Sequence, residues 1–193
     1  KAINLNVNYL IENNLSGVQF RLRSDELKSL SSRCWDSLML SLYKPMTKTK
    51  ILGRPSITRR EYLIGINFPS CFKERGEDLF IATKQEELFK NINFKIGEGV
   101  GFKKTEISLI KSFRKFYNYG FGDAFIISQN PKKVFILIYH QLINYSIILT
   151  FKSFLRFQFI EGLIISFWGI ARFSGMMREF INLLTNHNID KTQ

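Results

Sequence analysis

Apolar and polar positions alternate most cleanly over residues 17–23, where Val18, Phe20 and Leu22 fall on one side and Gln19, Arg21 and Arg23 on the other, predicting a half-buried strand. Residues 2–11 alternate more loosely through Ile3, Leu5 and Val7. Ser24-Asp25-Glu26 then offers a helix start. Leu27, Leu30, Cys34, Leu38 and Leu42 recur at helical spacing until Pro45 ends the run, with Trp35 beside the stripe and expected in the core. Residues 46–54 are basic and polar and end in Gly53-Arg54-Pro55, which fits either a loop that closes over a ligand or a solvated connection. A short strand running into a helical turn is expected over 56–64. A helix follows over 79–92, with Ile81, Gln85, Leu88 and Ile92 near one face, and a strand over 93–102. That strand carries Gly97, Gly99 and Gly101, whose spacing is not that of a dinucleotide-binding loop.

The character changes after residue 103. Over 104–121, Leu109, Phe113, Phe116 and Gly120 make one helical stripe with Lys111, Arg114 and Lys115 around it, a basic amphipathic helix that suits either a packed core or an anionic lipid surface. Asn130-Pro131 breaks the chain. The 18 residues from 134 to 151 carry no formal charge, which is the lower limit for a membrane-spanning helix. His140, Gln141 and Asn144 nevertheless put a polar stripe on one side, suited to face protein or headgroups, and Lys132-Lys133 and Lys152 bracket the run as interfacial anchors. A second apolar run, 157–177, is interrupted by Glu161 and Arg172, and its Gly162, Gly169 and Gly175 permit close helix approach. The pair reads as an interfacial helical hairpin. A spanning hairpin and a buried helix pair are the alternatives.

Composition narrows the partners. With 45% apolar residues and 19 Phe there is ample material for a packed core. A formal charge of +12 draws the chain to polyanions: nucleic acid, phospholipid headgroups or phosphorylated small molecules. The basic residues are scattered and form no nucleic-acid recognition motif, so no nucleic acid is expected. Cys34 and Cys71 stand alone and read as buried free thiols, and His140 and His187 have no partners at metal-ligand spacing. The start of the chain does not read as a signal peptide. Arg75-Gly76-Glu77-Asp78 places two carboxylates at a helix start. Either they are an acidic cap on the helix dipole, or one is a catalytic carboxylate aimed at an acceptor hydroxyl.

The order of motifs then matters. Gly53-Arg54-Pro55-Ser56-Ile57-Thr58-Arg59-Arg60-Glu61-Tyr62-Leu63 is followed by Phe72, by Arg75-Gly76-Glu77-Asp78 and by Asn91-Ile92-Asn93-Phe94-Lys95-Ile96. Further on comes Phe113-Arg114-Lys115-Phe116-Tyr117-Asn118-Tyr119-Gly120-Phe121-Gly122-Asp123-Ala124. The series resembles the second half of the catalytic domain of family 2 glycosyltransferases, over roughly residues 53 to 131. In that family an Arg-Arg-Glu strand precedes a Gly-Glu-Asp turn, a helix, a Gly-Tyr-Lys-Ile strand and a basic-aromatic helix.

The resemblance implies an α/β fold: the C-terminal portion of a GT-A (Rossmann-like) domain over 1–103, then a membrane-associating α-helical part over 104–193. It implies a hexosyl-type glycosyltransferase that moves a sugar from a nucleotide-sugar donor to a lipid-linked, polysaccharide or other glycan acceptor on the cytoplasmic face of a membrane. Asp78 becomes the base and Glu77 the neighbour that orients it or binds acceptor. Arg75 and Gly76 belong to the substrate-binding turn. Arg54 and Arg114 become candidates for stabilising the leaving diphosphate, against the alternative of solvated surface charge, which weighs more for Arg54. A divalent metal, Mg2+ or Mn2+, is expected through an Asp-x-Asp motif, which this sequence lacks. The family's Gly-Gly-Phe-Asp segment is here Ile66-Asn67-Phe68-Pro69-Ser70, and Phe102-Lys103-Lys104 stands where a His is common. A chain beginning at Lys1 rather than Met fits a piece of a longer enzyme better than a degenerate relative. The other functional class is a non-catalytic basic membrane-associated adaptor or nucleic-acid-binding protein.

Overall fold

A computed structural model describes residues 1–49, 52, 55–66, 77–89, 91–105 and 108–189, with backbone alone at 77–79, 129, 184 and 186–189. The first element is a helix, α1 (Ala2–Glu12), where loose alternation was the sequence signal. Its buried residues, Asn6 and Leu10, are four apart, so a helical period outweighs the period of two. Asn14, at φ +47°, turns the chain out of the helix in the left-handed conformation that asparagine tolerates.

Four strands form one mixed sheet in the order β2 (Lys48–Thr49), β4 (Phe94–Lys103), β1 (Gly17–Ser24), β3 (Ser56–Thr58). β1 and β4 are parallel, while β3 on β1 and β2 on β4 are antiparallel. The β1–β4 ladder is irregular between Gln19 and Arg21. Across that point the strand's apolar residues part company. Val18 packs with Leu10 and Leu15, whereas Leu22 packs with Cys34, Leu38 and Met39 of α2 (Leu30–Leu42).

α2 starts five residues later than Ser24 suggests. Ser29 and Ser32 form a reciprocal capping box there, and Ser24 ends β1 instead. Asp36 fastens α2 to the strand. Its carboxylate accepts from Arg23 Nε at 2.7 Å, Arg23 Nη2 at 2.9 Å and the Ser24 N–H at 3.0 Å. This bidentate contact raises the Arg23 pKa further above its already high ordinary value.

After β3 a 3₁₀ turn (Arg60–Tyr62) precedes α3 (Glu77–Leu88). The expected apolar face of α3 is only partly right. Leu88 is exposed, while Gln85 is buried because its Nε2 donates to the Tyr62 carbonyl at 2.9 Å. α4 (Leu109–Gln129) is capped by Ser108 and extends eight residues beyond its predicted end. The break at Asn130–Pro131 is present. A helical rod then runs from Pro131 to Phe154 through α5 (Val134–Ile138), a wide i→i+5 segment (Tyr139–Leu149) and α6 (Thr150–Phe154). A tight turn leads into α7 (Phe159–Ile189), which Glu161 and Arg172 do not interrupt because both are paired.

The rod and α7 are antiparallel, and α4 lies parallel to α7, with Phe113 against Phe167 and Gly120 against Arg172 and Met176. Two glycines make that approach possible: a Cβ at Gly120 would overlap the Arg172 carbonyl oxygen, and one at Gly175 the Tyr117 carbonyl oxygen. Gly162 and Gly169 serve the hairpin likewise, against Phe154 and the Gln141 carbonyl. One core cluster joins Leu22 and α2 to Phe116, Tyr145, Leu149, Ile165 and Trp168, so the turn half of the hairpin packs on the strand-and-helix layer.

Candidate functional site

The helix expected after the acidic turn is present. Glu77 and Asp78 are the first two residues of α3. Arg54, Arg75 and Gly76 lie outside the described residues. Phe80, in the first turn of α3, is buried in a cluster with Ala124, Ile126, Ile127, Leu137 and Met176, drawn from α4, α5 and α7. A Lys133 to Glu86 ion pair of 2.6 Å holds the same two regions together further along α3. The carboxylate-bearing end of α3 is therefore seated against the helical bundle. Arg114 is exposed on α4, ten residues before Ala124, which is about 15 Å along a helix axis at 1.5 Å per residue.

The polar residues inside the bundle are matched to one another. Asp123 accepts from Arg172 Nε at 2.5 Å and Nη2 at 2.8 Å, and from Gln141 Nε2 at 2.7 Å. The stripe predicted at His140, Gln141 and Asn144 thus faces protein: Gln141 is wholly buried, and Asn144 meets His140 Nδ1 at 3.0 Å. Ser146 and Ser166 exchange hydroxyl-to-carbonyl bonds across the hairpin at 3.2 and 3.1 Å. No sequence signal singled out Asp123 as the partner of Arg172, since 49 residues separate them.

The outer face of the bundle is apolar. Phe135, Tyr139, Ile143, Ile147, Phe151 and Leu155 are exposed at every fourth position, while Leu137, Gln141, Tyr145, Leu149 and Ser153 are buried two residues out of phase. In a 3.6-residue helix a stripe at every fourth residue winds about 40° per step. The wider turns over Tyr139–Leu149 take back that drift, so the stripe stays on one side. On α7, Phe159, Leu163, Phe167, Ile170, Met177 and Ile181 are exposed, again opposite the Ile165 and Trp168 side that packs inward. Both helices are long and apolar enough to cross a membrane.

Cys34 is buried and free, and burial pushes its thiol up to about 12, which makes it a core residue rather than a nucleophile. Cys71 lies outside the described residues. Among the described residues, no three His, Cys, Asp or Glu side chains come together as a metal site. Comparison with protein-family models, curated proteins and solved structures finds no match to this chain.

Proposed function

We propose that this chain is the C-terminal part of a family 2, GT-A-type glycosyltransferase, transferring a hexosyl group from a nucleotide-sugar donor to a lipid-linked or glycan acceptor at the cytoplasmic face of a membrane. The observation that carries the reading is the seat of α3: the helix opening on Glu77 and Asp78 is anchored through Phe80 into a bundle whose exposed face carries an apolar stripe. An acceptor anchored in a bilayer would be held on the same bundle that seats α3. The ordered motif series supports the same reading.

In this mechanism Asp78 takes the proton from the acceptor hydroxyl as its oxygen attacks the anomeric carbon and the nucleoside diphosphate leaves. Glu77 beside it, a second negative charge, makes proton uptake by Asp78 more favourable, and it orients Asp78 or binds the acceptor. In this reading Arg54 and Arg114 would help to offset the charge of the leaving diphosphate, beside a divalent metal for which this sequence carries no Asp-x-Asp motif.

The hairpin lies in the plane of the interface. A spanning arrangement would take residues 145–168 into hydrocarbon. Yet Tyr145, Leu149, Ile165 and Trp168 share a core with α2 and β1, and Ser37 of α2 bonds Gln158 at 2.8 Å and Ser153 at 3.1 Å. Burying only the outer stripes leaves the sheet in water.

A sugar-nucleotide transfer assay on the intact gene product, wild type beside Asp78→Asn, tests the enzyme reading. Turnover abolished by the substitution, with donor binding nearly unchanged, is expected. Near-normal turnover in the variant removes the base assignment. Absence of both donor binding and turnover with common donors favours a non-catalytic membrane adaptor, a reading that the apolar outer face and basic charge support by themselves.

A further inference from the structure

The turn that joins the rod to α7 places phenylalanine where its backbone favours glycine. Two backbone bonds close it: the Gln158 N–H donates to the Ser153 carbonyl at 3.0 Å, and the Phe157 N–H to the Phe154 carbonyl at 2.9 Å. This is the Schellman pair, which ends a helix on a left-handed residue that is usually glycine. Here Phe157 holds that position at φ +59°, although a Cβ makes the conformation unfavourable and bulky side chains rarely adopt it. The side chain gains little inside the molecule. Phe157 is 85% exposed, the most exposed large apolar residue among those described, and its ring meets Phe159 edge-on with centroids 6.4 Å apart.

The residues around it are sorted by polarity. A turn of this kind often brings two apolar side chains together across its base. At those two positions stand Ser153 and Gln158, and both hydrogen-bond Ser37 of α2. Arg156 is drawn the same way, its Nη1 donating to Ser41 Oγ at 3.1 Å. The polar members of the turn are thus tied back to α2, while Leu155, Phe157, Phe159 and Ile160 are exposed. Leu155 ends the outer stripe of the rod and Phe159 begins that of α7, so the tip joins two apolar faces into one. The helices it connects are both long and apolar enough to cross a membrane, which makes hydrocarbon the matching occupant.

We propose that this tip is a membrane wedge, with the Phe157 ring inserted into the hydrocarbon of the bilayer from the turn between the two outer stripes. The site deepens the membrane reading and rests on it. Backbone geometry calls for glycine at position 157, whereas contact with hydrocarbon calls for an aromatic ring, so one substitution separates the two demands.

The test uses the full chain with vesicles of phosphatidylcholine and phosphatidylglycerol, read by flotation, beside thermal unfolding without lipid. Phe157→Gly relieves the left-handed strain and removes the ring, so the two readouts part. Its midpoint should not fall below that of wild type. Its vesicle affinity should drop about tenfold, the effect of one phenylalanine side chain no longer moving from water into hydrocarbon. Phe157→Trp should bind like wild type, and the emission it adds should be quenched by brominated lipid. Lys48→Trp, on the sheet that this reading leaves in water, should add emission that is not quenched. A clearly lower midpoint in Phe157→Gly makes the ring a fold residue and overturns the wedge. So does wild-type vesicle affinity in that variant, or unquenched added emission in Phe157→Trp. Lipid-free dimerisation that Phe157→Gly abolishes makes the occupant a second copy and overturns it as well. In each of these cases flotation of the wild type leaves the membrane reading standing. Failure of the wild type to float overturns that reading and the wedge with it.

Discussion

Replacing Arg172 with methionine strips the guanidinium from an Asp123 carboxylate whose side chain is 2% exposed and leaves its other partner, the Gln141 amide, unable to neutralise it. Breaking a buried pair from one side costs about 3–5 kcal/mol, because the remaining charge stays desolvated. The Arg172 side chain keeps 18% exposure, so water reaches one end of the pair and the lower figure, about 3 kcal/mol, applies. For a chain of this size each kcal/mol moves the midpoint by about 2–4 °C, giving a fall of about 6–12 °C. Thermal unfolding in mild detergent, followed by tryptophan emission, measures it directly because Trp168 sits in the core cluster beside Phe116 and Tyr145. The control is Asp123→Asn/Arg172→Met, which removes the second charge yet keeps an acceptor for Gln141. It should recover most of the loss. A single variant within about 2 °C of wild type would refute the reasoning. A double variant as unstable as the single would show that lost packing, not unpaired charge, sets the cost.

Other consequences are independent of that pair. Gly175→Ala forces its methyl into the Tyr117 carbonyl, so α4 and α7 must separate at a cost of about 1–3 kcal/mol, seen as a lower midpoint and faster proteolysis within α4. Ile147→Glu/Phe151→Glu on the outer stripe should weaken vesicle binding at least about tenfold per site while leaving the fold intact by circular dichroism; unchanged flotation would argue against an interfacial hairpin. In a Cys71→Ser background, Cys34 should resist maleimide at neutral pH until the protein unfolds. Because its folded pKa is raised, stability should fall as pH climbs above about 8.5, where the unfolded thiol ionises and the buried one does not. A stability curve flat through that range would contradict the burial of Cys34.

Local pattern carried much of the architecture. The alternation at Val18, Phe20 and Leu22 gives β1, the stripe from Leu30 to Leu42 gives α2, the Asn130–Pro131 break falls where helices part, and the two apolar runs become the rod and α7. Gly162, Gly169 and Gly175 stand at helix contacts because a missing Cβ has one obvious use in an apolar helix. The helix start at Glu77 and Asp78 was equally legible, since acidic residues suit the free N–H groups of a helix N-terminus.

What the chain could not reveal by itself are the matters settled between distant residues. Whether residues 2–11 bury alternate or fourth positions depends on which neighbour covers them, and packing against Leu15 and Val18 selected the helix. The start of α2 was decided by Asp36, which claims Arg23 and the Ser24 N–H for the strand and leaves capping to Ser29. Charges that read as interruptions in an apolar run, Glu161 and Arg172, turn out to be tolerated because Arg33 and Asp123 arrive from elsewhere in the chain. Sequence periodicity fixes which side of an element is apolar. Only the tertiary structure decides what meets that side, because a buried charge or a close helix crossing is stable only when its partner, many residues away, is already in place.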